Sequence, residues 1–356
     1  MVTIQEVAER AGVSISTVSN VLNKKKFVSQ ELQERVYRAV EELDYVADSV
    51  ARNMKRGYTK NIGVITSDMC GLFYPYVVQG IYQVLSQEGY HLTICDAHVE
   101  PGEKSLVKER EAFRSLFSNR VDGVIFVSSV SSREEAAYLE EIKREAGRLK
   151  KTPLVSLERD FSAFGIDSVY YDNRKTAGLA VEHLISRGCR RIAHIAGPRQ
   201  EQIPEERKEG YLETLDKSGL GSGYIVYGDY SHQSGYQAML ELLSAQERPD
   251  GVYCANDQMA VGALKALKEW GIAVPEEIKV VGSDDVFVAS VVEPGISTVH
   301  IKKTSMGQRA AELLLQRIRE GEQDNLPPAA EEMEIRLVVR KSTDAQARDD
   351  WSVQDW

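Results

Sequence analysis

Cysteine is scarce in this chain of 356 residues and is never clustered, with Cys70, Cys95, Cys189 and Cys254 standing far apart. That spacing excludes the close pairs of a zinc site and the dense framework of a disulfide-stapled secreted domain. Three of the four lie in or beside apolar, strand-like runs and read as buried free thiols. The six histidines are equally dispersed, so neither a metal site nor a cofactor is expected. Long hydrophobic runs are also missing: nothing approaches the roughly 18 apolar residues of a membrane span. The N-terminus carries Glu6 and Glu9 where an export signal is basic and then apolar, which predicts a cytoplasmic chain. There is no P-loop, no G-x-G-x-x-G after the first strand-like run and no nucleophile elbow, so catalysis is not expected.

The apolar fraction of 42% and charged fraction of 28% suit a soluble protein of two or three domains. Net charge is −10, but it is unevenly spread. Residues 1–60 hold ten Lys/Arg against eight Asp/Glu, a balance of +2, and the remainder holds 34 against 46, a balance of −12. A weakly basic head on an acidic body fits a small nucleic-acid-binding module joined to something else.

The head is organised around Thr3–Asn23. Ile4, Val7, Ala8 and Ala11 recur at helical spacing, Gly12 interrupts, and Val13, Val18, Val21 and Leu22 resume. Thr3 and Glu6 form a capping-box pair, Gly12 ends the first helix, and Ser14 opens the second. This predicts a helix-turn-helix whose second helix shows Ile15, Ser16, Thr17, Ser19 and Asn20 outward. Asparagine suits adenine and an aliphatic side chain suits the thymine methyl in a major groove. A third helix opens at Val28-Ser29, with Leu32, Val36, Val40 and Leu43 as its seam.

From Tyr45 to Gly57 a short helix is expected, with only Val50, Ala51 and Met54 as an apolar stripe, too little to be stable alone. Beyond Asn61 the pattern changes. Nine apolar runs (Ile62–Ile65, Tyr90–Cys95, Val121–Val127, Leu154–Leu157, Ser168–Tyr171, Ile192–Ile195, Tyr224–Tyr227, Val252–Cys254, Val280–Val281) alternate with helical stretches such as Tyr76–Glu88 and Ala260–Trp270. That alternation predicts two doubly wound parallel sheets with a cleft between them.

These phrases together resemble the LacI/GalR family of bacterial transcriptional repressors from Thr3 to about Thr343. The resemblance rests on T-I-x-x-V-A-x-x-A-G-V-S-x-x-T-V-S-x-V-L-N at Thr3–Asn23, V-D-G-V-I-F at Val121–Phe126, R-x-x-G-Y at Arg207–Tyr211, N-D-Q-M-A at Asn256–Ala260, V-V-G-S-D-D at Val280–Asp285 and R-L-V-V-R-K-S-T at Arg336–Thr343. It implies a helix-turn-helix DNA-binding domain (1–46), a hinge helix and linker (47–60), and a periplasmic-binding-protein-like effector and dimerisation domain (61–343). Within that body the expected subdomains are about 61–161 with 290–320, and about 162–289 with 321–343. An acidic tail, 344–356, follows. The implied partners are a pseudo-palindromic operator in double-stranded DNA, a small-molecule effector and a second copy of the chain.

Carried onto this sequence, the resemblance assigns DNA contact to Thr3, Ser14, Ile15, Ser16, Thr17 and Asn20, and in the hinge to Ala51, Met54 and Lys55. Two departures bear on the hinge: Ala47-Asp48 stands where the family commonly has Pro-Asn, and Met54 where it commonly has leucine. The effector site is expected from Asp68, Phe73, Tyr74, Glu158, Arg207, Tyr230, Asn256 and Asp284. Carboxylates that accept paired hydroxyls, a planar guanidinium and aromatic faces suit a sugar or sugar derivative. Aromatics beside an acid also suit a purine. A sugar-acting enzyme and an exported solute-binding protein are the opposing readings. The first lacks a catalytic fingerprint, and the second has no use for Thr3–Gly57.

Overall fold

The computed structural model describes residues 2–23, 26–45, 58–98, 105–148, 151–199, 201–221, 223–321 and 326–348, and the chain divides into two units, Met1–Thr59 and Lys60–Trp356. The hinge residues Ala51, Met54 and Lys55 lie outside the described residues.

The first unit holds α1 (Ile4–Ala11), α2 (Ile15–Asn23) and α3 (Gln30–Glu42). Val7, Ala8, Ala11, Val18, Val21, Val36 and Ala39 close its small core. The capping box forms as expected: the Glu6 amide donates to Thr3 Oγ1 at 3.3 Å, and the Thr3 amide donates to Glu6 Oε2 at 2.6 Å. Gly12 turns the chain in the left-handed region at φ +63°. Arg35 of α3 fixes that corner by donating to the Ala11 carbonyl at 2.6 Å and the Gly12 carbonyl at 3.1 Å, so the turn is held from outside as well as from within.

Among the described residues the second unit is built from two sheets of six strands each. Its strands are β1 (Asn61–Thr66), β2 (His91–Asp96), β3 (Gly123–Phe126), β4 (Leu154–Glu158), β5 (Asp167–Tyr170), β6 (Ile192–Ala196), β7 (Tyr224–Tyr227), β8 (Gly251–Cys254), β9 (Lys279–Asp284), β10 (Ser297–Ile301), β11 (Ala330–Glu332) and β12 (Ile335–Val338). Strand order is β11-β5-β4-β3-β1-β2 in one sheet and β7-β6-β8-β9-β10-β12 in the other. All pairings are parallel except β10 with β12. The two orders are the same doubly wound pattern, with the switch point beside the first strand of each sheet.

The helices are α4 (Tyr74–Gln87), α5 (Ser105–Ser118), α6 (Glu135–Ala146), α7 (Asn173–Ser186), α8 (Gln202–Lys217), α9 (His232–Leu243), α10 (Asp257–Glu269), α11 (Phe287–Val291) and α12 (Lys303–Glu320). The crossing of α4 and α12 is close because neither contact residue has a side chain: a Cβ on Gly80 would lie 2.0 Å from the Thr304 carbonyl, and one on Gly307 2.0 Å from that of Val77. Helices α9 and α10 repeat the device through Gly235 and Gly262. Two residues past the ends of α4, α7 and α10, Gly89, Gly188 and Gly271 all adopt positive φ.

The subdomain limits require correction. β5 belongs to the first sheet, so the chain first crosses over after Tyr170 rather than near 162. It returns between β10 and α12, near 302 rather than 290, because β10 is a central strand of the second sheet. It crosses a third time between β11 and β12, near 333 rather than 321. Sheet partners decide these limits, and a strand's partner is not written in its own residues. Strands β10, β11 and β12 were also absent from the nine expected runs. The thiols divide: Cys189 and Cys254 are buried, Cys95 is half-buried and Cys70 is exposed. The acidic tail starts tethered, with Asp344 paired to Arg187 at 3.0 Å.

Candidate functional site

The carboxyl ends of strands in both sheets bring polar side chains together along one chain of hydrogen bonds that ends in an ion pair. Ser67, following β1, donates to Tyr74 Oη at 2.9 Å, and Tyr74 donates to Glu158 Oε2 at 2.5 Å. Glu158 Oε1 accepts from Tyr171 Oη at 2.8 Å. Tyr171 in turn accepts from Arg207 Nη2 at 3.1 Å, and Arg207 lies 3.7 Å from Asp284. Tyr74 and Glu158 come from the first sheet and its helix, Arg207 and Asp284 from α8 and β9 of the second half. Tyr171, on the first crossover, joins the two.

Arg207 is the hub. Its Nε donates to Asn173 Oδ1 at 3.0 Å and its Nη1 to the Ala255 carbonyl, so each face of the guanidinium fork has a fixed partner. Burial works to lower its pKa, but Tyr171 and Asp284 outweigh that and keep it firmly charged. Burial pushes the Asp284 carboxyl up to about 7; Arg207 and Lys303 oppose the rise and Glu158 adds to it. Burial, followed by the charge of Glu158, raises the hydroxyls of Tyr74 and Tyr171 well above the ordinary range, so both remain donors at neutral pH.

Several of these residues occupy costly backbone. Glu158 has φ +66°, Tyr230 +70°, Asp284 +100° and Asp285 +52°, none of them glycine. Each ends or follows a strand, and each such conformation costs on the order of 1–3 kcal/mol. The turn at β9 is secured by Asp285, which accepts from Arg340 Nη2 at 2.7 Å and pairs with His300 Nδ1 at 2.8 Å.

The remaining expected residues divide. Asn256 caps α10, accepting the Met259 amide at 2.9 Å, and its Nδ2 donates to the Tyr230 carbonyl at 3.0 Å. The ring of Tyr230 lies against Gly197, where a Cβ would come within 2.5 Å of it. Phe73 packs edge-on to Tyr74 with centroids 5.2 Å apart. Asp68 is not part of the chain of bonds: its Oδ1 accepts the amides of Cys70 and Gly71 at 2.9 and 2.8 Å, which makes it the cap of its own turn. The sequence reading missed Tyr171, Asn173, Gln258 and Glu201. Burial and the charge of Glu109 push the Glu201 carboxyl up to about 7. The run Val169–Asn173, where an apolar strand gives way to Y-D-N, was the available signal for two of them.

On the head, Ile15 is 48% exposed and Ser16 is exposed, while Asn20 is half-buried. Thr3 and Ser14 spend their hydroxyls on caps: Thr17 donates its amide to Ser14 Oγ at 3.1 Å, and Ser14 Oγ also bonds Ser16 Oγ at 2.7 Å and Thr17 Oγ1 at 2.8 Å. Among the described residues no cluster of His, Cys, Asp and Glu is arranged to hold a metal, and no helix is long and apolar enough to cross a membrane.

Comparison with known proteins decides what this assembly belongs to. Residues 3–48 match the model for bacterial regulatory proteins of the lacI family, and residues 181–343 the model for a periplasmic binding protein-like domain. The HTH-type transcriptional repressor PurR of Escherichia coli O139:H28 is 33% identical over 345 residues, 96% of this chain and 97% of that one. This chain belongs to the LacI family. Its fold is that of the lac repressor dimer bound to operator and the anti-inducer ONPF, with a TM-score of 0.83 and 28% identity over 96% of this chain and 99% of that one. A transcriptional regulator CelR–cellobiose complex is 32% identical, with a TM-score of 0.68 over 96% and 100% of the two chains. As a LacI-family member the chain is a DNA-binding transcriptional repressor, and the relatives named here are regulators rather than enzymes.

Proposed function

We propose that the cleft binds a small polyhydroxylated molecule, a sugar or sugar derivative, and that its occupancy sets the affinity of a homodimer for a pseudo-palindromic operator. The observation that carries this reading is the hydrogen-bonded chain Tyr74–Glu158–Tyr171–Arg207, extended to Asp284 by an ion pair at 3.7 Å, across both halves of the body. Charged acceptors and donors alternate along it, matched to the paired donors and acceptors of vicinal hydroxyls. Phe73, Tyr230 and Asn256 flank it as the apolar and amide surfaces of the same site. The solved relatives include a regulator in complex with cellobiose and a LacI family regulator from Enterococcus faecium with bound ribose, the latter 26% identical with a TM-score of 0.67.

In the head, Ile15, Ser16 and Asn20 read base edges, Thr17 supports them, and Thr3 and Ser14 act at the phosphates through the amides of the helix starts they cap. Ala51, Met54 and Lys55 are assigned to the minor groove on sequence alone. The ligand acts only through its differential affinity for two arrangements of the subdomains.

The test is thermal unfolding of the purified protein with pentoses, hexoses, disaccharides, their phosphates and purines, since binding to the folded state must raise Tm. A rise with one sugar class, followed by a ligand-dependent change in operator gel shift, is expected. A rise with purines alone would replace the carbohydrate reading, and a flat panel would remove the small-molecule site.

A further inference from the structure

Two glutamines of the second subdomain each hold a loop of the first. Gln258, the second residue of α10, accepts the Leu72 amide N–H at 2.8 Å and turns its own amide toward the Tyr230 carbonyl at 3.4 Å. Gln202, the first residue of α8, accepts the Ser132 amide N–H at 3.1 Å and donates to Glu206 Oε1 at 3.1 Å. The paired groups stand 186 and 70 residues apart in the chain, so neither bond is a local loop cap.

The two loops have equivalent origins. Leu72 follows β1 and immediately precedes Phe73; Ser132 follows β3, the neighbour of β1 in the first sheet. Both leave the carboxyl ends of their strands, and both are met by the first turn of a helix whose own strand ends face the same cleft. Each bond therefore spans the gap between subdomains, at a separate point. A main-chain N–H cannot follow a receding acceptor without moving its loop, so each bond survives over a shift of only a few tenths of an ångström.

We propose that Gln258 and Gln202 are paired positioning residues that clasp the two subdomains and set the spacing at which Glu158, Tyr171, Arg207 and Asp284 meet. Neither glutamine acts on the ligand directly. Gln258 reaches it through Leu72–Phe73 on one side and the Tyr230 carbonyl on the other. Gln202 holds the start of the helix that carries Arg207. Each bond biases the closed arrangement by about 2- to 10-fold, the range expected of one net hydrogen bond. The consequence for ligand response rests on the reading of the cleft as an effector site; the clasp itself does not.

The test is amide hydrogen exchange on the full chain without ligand. Gln258→Ala is expected to speed exchange at Leu72 directly. The decisive variant is Gln202→Ala, which does not touch Leu72 and is expected to speed its exchange by about 2- to 10-fold through opening of the cleft. Gln258→Glu keeps an acceptor for the Leu72 N–H and restores its protection. Exchange in β8 remains at the wild-type rate, showing that the fold is intact. Unchanged Leu72 exchange in Gln202→Ala would overturn the proposal, since each glutamine would then be a separate tether. Because no ligand enters this experiment, that failure is distinct from the flat ligand panel that would defeat the sensor reading.

Discussion

Lys303 and Asp284 are joined through the main chain: the fully buried Lys303 ammonium donates to the Asp284 carbonyl at 2.5 Å. It also donates to the carbonyls of Asp285 and Ile301, each at 3.1 Å. Lys303 opens α12, where the chain returns to the first subdomain, so one cation ties that crossover to the turn that presents a site carboxyl.

Replacing Lys303 with methionine keeps the stem and deletes the charge, leaving three buried carbonyls without this donor. The body should lose about 2–4 kcal/mol, the scale of breaking a buried charged hydrogen-bond network. Urea unfolding measures it. A loss under about 0.5 kcal/mol would mean the carbonyls find other partners.

Asp284 sets a pH dependence with a definite sign. Its carboxyl stands near 7 in the folded chain, chiefly through burial, against about 3.9 unfolded. Between those values the folded state keeps a proton that the unfolded state releases, so this stabilisation is full below about pH 4 and lost by about pH 7. Glu201, also near 7, adds a slope of the same sign. Stability should therefore fall from pH 5 to 8 in urea titrations, and Asp284→Asn should flatten the fall. An unchanged slope would remove Asp284 as its source.

Arg207→Lys retains the charge and loses the planar fork that reaches Asn173, Ala255 and Tyr171 together. Any ligand identified by thermal shift should bind this variant on the order of 100-fold more weakly, about 2.7 kcal/mol. Titration calorimetry reports the affinity, and a retained far-UV circular dichroism spectrum shows the fold. Binding within threefold of wild type would place the ligand elsewhere.

In the head, recognition and folding should separate. Asn20→Ala should change base preference at one position of each half-site by about 1–3 kcal/mol, read from a panel of single-base operator variants. A uniform loss would make Asn20 a backbone contact. Gly12→Ala instead strains φ +63° and brings a Cβ within 2.6 Å of Arg35 Nη2. It should destabilise the head by about 1–2 kcal/mol without altering preference.

Much of the chain was legible before folding, for identifiable reasons. Capping at Thr3 and Ser14, the stop at Gly12 and the nine apolar runs are local events, governed by residues within one turn or one strand. The resemblance then named strand ends, and most of the named side chains converge there. Asp68, just past the end of β1, caps its own turn and does not join the bonded chain, because a carboxylate two residues before an amide satisfies that turn first. Tyr171 and Gln258 escaped notice because their partners, Glu158, Arg207 and Leu72, are distant in the chain.

The sequence by itself determined the helix-turn-helix, nine of the twelve strands in their order and the chemical kinds of side chain at strand ends, since periodicity, capping and turn residues act over a few positions. Only the tertiary structure decided which sheet claims β5, β10 and β11, which acid is lifted to about 7, and which glutamines bridge the halves. Those outcomes depend on burial and on pairings between residues tens to hundreds of positions apart, which exist only once the two sheets have formed.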